Sequence, residues 1–148
     1  MPRDRDVAAF AERAEGYEEG WLGRLHHEIA DRTAELALAQ VPAPRRVLDV
    51  GCGTGYLLRQ LAGRVPDAVE LVGLDAATEM VRVAQQSTDD PRARFQAGTA
   101  EHLPEPDGTF DLVVSTTSFD HWADQQAGLL ECARVMAPGG CLVLVDQF

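Results

Sequence analysis

The residues VLDVGCGTG, at positions 47–55, decide the fold of this chain. A run that is apolar except for Asp49 leads directly into three alternating glycines, and a helical pattern begins at Tyr56. Glycines at such a turn leave no side chains to hold a ligand away from the backbone. The stretch therefore predicts a buried strand, a ligand-binding turn and a helix, with a tight turn that binds nothing as the alternative.

Four further apolar runs follow, and each is short and nearly continuous, as is typical of strands buried on both faces. They are VELVGLD (69–75), ARFQA (93–97), FDLVV (110–114) and CLVLV (141–145). Helical patterns occupy 56–64, 78–86 and 123–136, whereas 98–109 contains prolines and is predicted to be mostly loop. This alternation predicts an α/β fold with a parallel sheet and helices on both faces.

The part of the chain before these strands is predicted to be helical. Apolar residues recur at helical spacing through 21–41, where two prolines follow, and 4–20 is a more polar helical segment. The predicted apolar face of the longer helix consists of Leu22, Leu25, Ile29 and Leu36. With 148 residues, 45% of them hydrophobic and 25% charged, we expect one domain over 1–148, with N-terminal helices at 1–44 and the α/β core at 45–148.

The charge and the residue types exclude several classes of function. Thirteen basic residues against 24 acidic ones give a net charge of -11, which disfavours nucleic acids and anionic membranes as partners. All thirteen basic residues are arginines, and the sequence contains neither lysine nor asparagine. The phosphate-loop lysine, a Schiff-base lysine and N-glycosylation are therefore excluded.

Three cysteines, Cys52, Cys132 and Cys141, match no zinc-binding spacing, so we predict reduced thiols and no metal site. The sequence shows no signal peptide at its start and no apolar run long enough to span a membrane. We therefore expect a soluble protein in the cytoplasm.

The glycine pattern distinguishes two nucleotide-binding classes. The dinucleotide fingerprint GxGxxG requires glycine where this chain has Tyr56, so its pattern is GxGxG. Asp75 follows Gly51 by 24 residues, close to the spacing at which an acidic residue binds ribose hydroxyls in dinucleotide folds. Asp49 lies inside an apolar strand, where its carboxylate needs either loop amides or a cationic ligand group.

Together these segments resemble the class I S-adenosylmethionine-dependent methyltransferases. VLDVGCGTG is similar to their first motif, and Leu74-Asp75, GTAE (98–101), FDLVVS (110–115) and MAPGGCLVLV (136–145) follow in the family's order. The resemblance implies a Rossmann-like three-layer sandwich with a mostly parallel sheet of strand order 3-2-1-4-5. It also implies S-adenosylmethionine as cofactor and methyl transfer to a small-molecule acceptor, with a protein side chain as a weaker alternative.

The resemblance further implies the residues of the cofactor site. They are Asp49, Gly51, Cys52, Gly53, Gly55, Asp75, Ala76, Met80, Ala100, Glu101, Ser115 and Thr116. In this assignment Asp75 binds the ribose, Ala76 and Met80 contact the adenine, and Glu101 lies near the adenine amino group. Ser115 and Thr116 meet the methionine part, and Asp49 lies near its amino group. A purely structural role stays open for Asp49, Asp75, Met80 and Glu101.

The acceptor side of the site is less defined. His121, in SFDHW (118–122), and Tyr17 are predicted to face the substrate, with a base needed only when the acceptor keeps its proton at neutral pH. Family members often resemble SFHHW here, and Asp120 replaces the first histidine, so no catalytic residue is assigned. Tyr17 and Trp21 are candidates either for a lid over the cofactor or for simple packing, and packing beside Trp122 is the alternative for His121. His26 and His27 are interpreted as surface residues rather than ligands.

The sequence stops at Phe148, where the family normally continues with two more strands. We therefore expect the C-terminal strands to be missing and the fifth strand to be an apolar edge, which a homodimer would cover. Two alternatives remain at this point. One is a cofactor-binding module or fragment without activity, and the other is an NAD-dependent oxidoreductase.

Overall fold

A computed structural model describes Val7 and residues 20–146 of the chain. Apart from Val7 and Gly20, the predicted helix at 4–20 therefore lies outside the described residues. The candidate residue Tyr17 also lies outside them. The helices are α1 (Gly20–Gln40), α2 (Tyr56–Ala62), α3 (Thr78–Ser87) and α4 (Gln125–Val135). The strands are β1 (Arg46–Val50), β2 (Glu70–Asp75), β3 (Ala93–Ala97), β4 (Phe110–Thr116) and β5 (Met136–Val145), with a short 3₁₀ turn at Phe119–His121.

The five described strands form one parallel sheet in the order β3-β2-β1-β4-β5. This confirms the predicted α/β class and strand order. β1 lies at the centre of the sheet and pairs with β2 on one side and β4 on the other. The direction of the strand order therefore reverses between β1 and β4, which is where open sheets of this kind bind ligands.

Alternate side chains of the strands supply two separate cores. Val47 and Leu112 pack on the face covered by α1, α2 and α3, whereas Leu48 and Val113 pack on the face covered by α4. All four side chains have no exposed surface. Helices on both faces of the sheet make the three-layer sandwich that the apolar strands predicted.

The apolar face predicted for α1 is wrong. Leu22, Leu25 and Leu36 are exposed, with Leu36 at 48% of its full accessibility. The buried residues of this helix are instead small: Gly23, Ala30, Thr33, Ala34 and Ala37. Small side chains let the helix backbone approach its neighbours, so close contact takes precedence over the burial of large side chains here.

Two further expectations about the elements have clear outcomes. The segment 98–109 has no helix or strand, as predicted, apart from an isolated bridge between Thr99 and His102. β5 begins at Met136 rather than at Cys141, because Met136 already pairs with Phe110 before the strand bulges.

One arginine ties the end of α2 to the start of β3. Arg92 donates to the carbonyl of Val65 at 2.7 Å and to that of Ala62 at 2.9 Å, and it pairs with Asp90 at 2.7 Å. These carbonyls lie at and just after the C-terminus of α2, where helical partners are lacking.

Replacing Arg92 with alanine should lower the free energy of unfolding by about 1–3 kcal/mol, because part-buried carbonyls lose their donors. Urea unfolding of the whole chain measures this. The matched control is Arg82→Ala, which removes a half-exposed ion pair with Glu79 and should cost less than about 0.5 kcal/mol. Equal effects of the two substitutions would contradict this role of Arg92.

Candidate functional site

A pocket lies at the carboxyl end of β1, where the strand order reverses. Its walls are the glycine loop at 51–54, the start of α2, the end of β4 at Thr116 with the following Thr117, and the residues of α1 around His27. Asp49 also contributes to the lining. The pocket is therefore lined by residues of α1, of β1 and its glycine loop, of α2 and of the end of β4.

The loop depends on glycine for its conformation and for its neighbours. Gly51, Gly53 and Gly55 have φ angles of +79°, +54° and +86°, which are in the region that L side chains rarely adopt. A Cβ at Gly51 would also overlap the side chain of Ser118. At Gly53, by contrast, a Cβ would meet nothing within 4 Å, so open space lies beside the loop.

Asp75 fastens the loop to the end of β2. Its two carboxylate oxygens accept backbone N–H groups from Gly53 and from Ala77, each at 2.9 Å. Burial raises the pKa of Asp75, although these two hydrogen bonds act in the opposite direction. Each carboxylate oxygen can accept more than one hydrogen bond, so Asp75 keeps acceptor capacity for a ligand.

Asp49 is the most unusual group of the site. Its residue is 1% exposed, and neither carboxylate oxygen has a hydrogen-bond partner within the described part of the chain. Burial, and then the nearby charge of Asp75, raise the pKa of Asp49 to about 8. A buried carboxyl group of this kind is costly unless a donor or a cation reaches it, so Asp49 is a candidate contact for a donor or for a positively charged ligand group.

Cys52 belongs to the glycine loop, and the carboxyl groups of Asp49 and Asp75 lie near enough to affect its thiol. Its thiol is buried, and burial together with Asp75 and Asp49 raises its pKa well above the ordinary value. The thiolate is the reactive form of cysteine. The thiol therefore stays protonated and contributes to the pocket lining without acting as a nucleophile.

The end of β4 forms the opposite wall. Ser115 is buried and donates to the carbonyl of Val50 at 2.8 Å, which fixes β4 against the end of β1. Thr116 lines the pocket, and its hydroxyl lies 3.4 Å from that of Thr33 on α1. Thr117 has a φ of +53°, which is uncommon for a residue other than glycine and turns the chain sharply after the strand.

The residues proposed for adenine lie outside the lining of this pocket. Met80 is 2% exposed and packs in a small cluster with Ala77, and Ala100 is buried in the core below α4. Glu101 is also buried and accepts the N–H of Asp124 at 3.1 Å. Burial opposes ionisation of Glu101, but this hydrogen bond and others lower its pKa below the ordinary value. Ala76 is half-buried, one residue after Asp75.

His26 and His27 are the residues that the sequence analysis missed. Both are half-buried and line the pocket, which their interpretation as surface residues did not anticipate. The His27 ring stacks on Tyr56 with 3.7 Å between ring centroids and 5° between planes, and the Tyr56 hydroxyl donates to Asp31 at 3.0 Å. This stack brings α1 against the first residue of α2.

The predicted acceptor-side residues differ in their surroundings. His121 is half-buried at the end of the 3₁₀ turn, where its backbone N–H donates to the Ser118 carbonyl at 2.9 Å. It is not part of the pocket lining. Trp21 is 70% exposed on α1.

Within the described residues, no group of three or more His, Cys, Asp or Glu side chains could hold a metal ion. No helix of the described part combines the length and apolar character of a membrane span.

The comparisons with known proteins agree with this geometry. Residues 47–140 match the family model for a methyltransferase domain, so the chain belongs to the class I S-adenosylmethionine-dependent methyltransferase family. It is 41% identical over 144 residues to a demethylmenaquinone methyltransferase of Thermus thermophilus, covering 93% of this chain and 63% of that protein. It is 40% identical over 133 residues to the Deinococcus radiodurans protein of the same name, covering 88% and 51%.

A solved structure shares the fold. The YcgJ protein of Bacillus subtilis superposes with a TM-score of 0.73 at 34% identity, covering 80% of this chain and 51% of that one. The chain thus spans between half and two thirds of the length of these relatives.

The raised pKa of Asp49 predicts how the stability of the ligand-free protein changes with pH. In the folded state this carboxyl group keeps its proton up to a pKa of about 8, whereas the unfolded chain releases it near its ordinary value of 3.8. Between these values the folded state binds the extra proton, so the free energy of unfolding falls as pH rises.

Asp49→Asn removes this titration. Between pH 5 and pH 8 the free energy of unfolding of the natural chain should fall by at least about 1 kcal/mol more than that of the variant, as urea unfolding at each pH would show. Other titrating groups are common to both proteins and cancel in the difference. Parallel pH profiles would contradict the assignment.

Proposed function

We propose that this chain binds S-adenosylmethionine and transfers its methyl group to a small-molecule acceptor. The observation that carries the proposal is Asp49, a buried carboxyl group without a partner in the described chain, beside a glycine loop at the switch point of the sheet. S-adenosylmethionine carries an ammonium group and a sulfonium, and a buried carboxylate stabilises such charges.

The residues of the pocket fit this cofactor. Asp49 would hold the ammonium group, Asp75 the ribose hydroxyls, and the open space beside Gly53 would admit the ligand against the backbone. The rest of the proposed surface around the amino acid tail consists of Gly51, Cys52, Gly55 and Thr116. Ser115 supports this surface through its hydrogen bond to the Val50 carbonyl. Ala76, Met80, Ala100 and Glu101 remain the proposed adenine side.

When bound, the cofactor supplies an activated methyl group with a good leaving group. The protein's task is then to align the acceptor and to exclude water. We propose that His121 faces the acceptor, and no catalytic residue is assigned. Tyr17 keeps the same proposed position on the substrate side, outside the described residues.

The relatives support a small-molecule acceptor, since demethylmenaquinone methyltransferases act on a small molecule by their name. The acidic composition disfavours nucleic acid as the acceptor. The three free cysteines suit a reducing compartment, and we propose the cytoplasm. A homodimer that pairs the outer edges of two β5 strands is part of the same proposal.

A non-catalytic cofactor-binding module is the second candidate. It is favoured by the described pocket lining, which contains residues proposed for the cofactor but not His121, the residue proposed for the acceptor. Both candidates bind the same cofactor, so methylated product formation with the full protein decides between them. The NAD-dependent oxidoreductase loses support, because the family match is to methyltransferases and Tyr56 stands where a dinucleotide site needs glycine.

Isothermal titration calorimetry tests the cofactor directly. S-adenosylhomocysteine should bind the chain, and Asp75→Ala should weaken binding by at least about tenfold, because it removes an acceptor of the ribose and an anchor of the loop. Asp89→Ala, which removes an exposed carboxylate between α3 and β3, should leave the affinity unchanged. Binding of NAD in place of the adenosyl ligand, or unchanged affinity of a folded Asp75→Ala variant, would overturn the proposal.

Ligand binding should also release protons. At pH 7 the Asp49 carboxyl is mostly protonated, because its pKa is raised to about 8. An ammonium group placed beside it favours the ionised form, so binding should release up to about one proton.

Titrations in buffers with different ionisation enthalpies measure this number. Asp49→Asn is the control, since it cannot lose a proton and should show a smaller release. Equal release by both proteins would show that Asp49 does not meet the charged end of the ligand.

A further inference from the structure

The pocket contains a second polar atom that lacks a partner. The Nε2 atom of His27 is buried and has no hydrogen-bond partner within the described part of the chain. Like the carboxylate of Asp49, this ring belongs to the lining of the pocket. Buried polar atoms without partners are rare in folded proteins, so two such groups in one pocket indicate a ligand that meets both.

The two groups have opposite chemistry. The Asp49 carboxylate accepts hydrogen bonds and attracts a cation, whereas an imidazole donates hydrogen bonds and carries a positive charge when protonated. An α-amino acid group has an ammonium and a carboxylate on one carbon. A ligand with such an end satisfies both sides of the pocket at once.

Other positively charged donors for a carboxylate are absent from the described lining of this pocket. None of the described lining residues is an arginine, and the sequence contains no lysine. Arg59 lies near the loop, but its Nη1 donates to the Thr54 carbonyl at 2.6 Å and to the Thr88 hydroxyl at 3.2 Å.

The N–H groups of the glycine loop are also largely engaged. Gly51 and Cys52 donate to the Leu74 carbonyl, Gly53 donates to Asp75, and Gly55 donates to the Cys52 carbonyl. Among the described lining residues, the groups that can donate with a positive charge are therefore the two histidines of α1, whereas the hydroxyls of Thr54, Thr116 and Thr117 are neutral donors.

We infer that His27 receives the carboxylate of the amino acid tail of the bound cofactor, opposite Asp49, which receives its ammonium group. The inference rests on the proposed function, since it concerns the same site. The stack on Tyr56 holds the imidazole ring in a fixed plane, and the Tyr56 hydroxyl is fixed in turn by Asp31. His27 thereby makes α1 a wall that distinguishes ligands with a carboxylate from ligands without one.

The test compares two ligands that differ in this carboxylate alone. S-adenosylmethionine has it, and decarboxylated S-adenosylmethionine keeps the sulfonium and the amine but lacks it. His27→Phe preserves an aromatic ring for the stack on Tyr56 and removes both ring nitrogens. It should weaken binding of S-adenosylmethionine by about tenfold, as expected for one hydrogen bond to a charged group, and leave binding of the decarboxylated ligand within about twofold.

Two further variants separate this role from a general loss of structure. His27→Gln keeps a side-chain donor and should recover part of the preference for the carboxylate. His102→Phe changes an exposed histidine outside the pocket and should alter neither affinity. Asp49→Asn should weaken both ligands, because both carry the amine.

A measurement on the natural chain does not depend on any variant. In nitrogen-15 spectra, the His27 Nε2 resonance should shift on addition of S-adenosylmethionine and much less with the decarboxylated ligand. Equal losses for both ligands in His27→Phe, or a His27 resonance that responds equally to both, would overturn the inference while leaving the proposed function intact. If the natural chain binds neither S-adenosylmethionine nor S-adenosylhomocysteine, the proposed function itself fails.

Discussion

The placement of Asp49 is the constraint on which the rest of the site depends. A central parallel strand has neighbours on both sides and helices on both faces, so water does not reach the carboxyl group near its end. Such a position costs folding free energy unless a ligand compensates for it. The glycine loop, the anchoring of that loop by Asp75 and the wall formed by α1 all surround this one group.

The architecture of the sheet could be predicted because buried parallel strands require apolar residues on both faces. VLDV and FDLVV show this requirement directly, and the pairing of β1 with β4 then follows from the strand order. The face of α1 could not be predicted in this way. Its packing is decided by how closely its backbone approaches α2 and the sheet, and the residues that permit this approach, such as Ala34 and Ala37, are weakly hydrophobic.

The residues of the site could be predicted only in part, because the contribution of α1 again depends on tertiary packing. Asp49, Gly51, Cys52, Gly53 and Thr116 line one pocket, and Asp75 joins them through its hydrogen bond to Gly53. These residues lie at strand ends, where position in the sheet follows from position in the chain. His27 belongs to a helix whose rotation about its own axis depends on tertiary packing. The sequence did contain one signal for the position of these histidines, the small-residue face around Ala30. Ala30 lies one helical turn after His26 and His27, so these residues share the side of α1 that faces α2.

The protonated thiol of Cys52 gives this pocket a built-in chemical reporter. Because burial, and then the neighbouring Asp75 and Asp49, raise the pKa of this thiol, alkylating reagents should label it slowly, and a molecule seated on the turn would shield it further. Cys132, a buried residue of α4 whose pKa is raised to about 12, provides an internal standard within the same polypeptide. The ratio of modification at these two sulfurs would thus register occupancy without a radiolabel, a dye or knowledge of the acceptor.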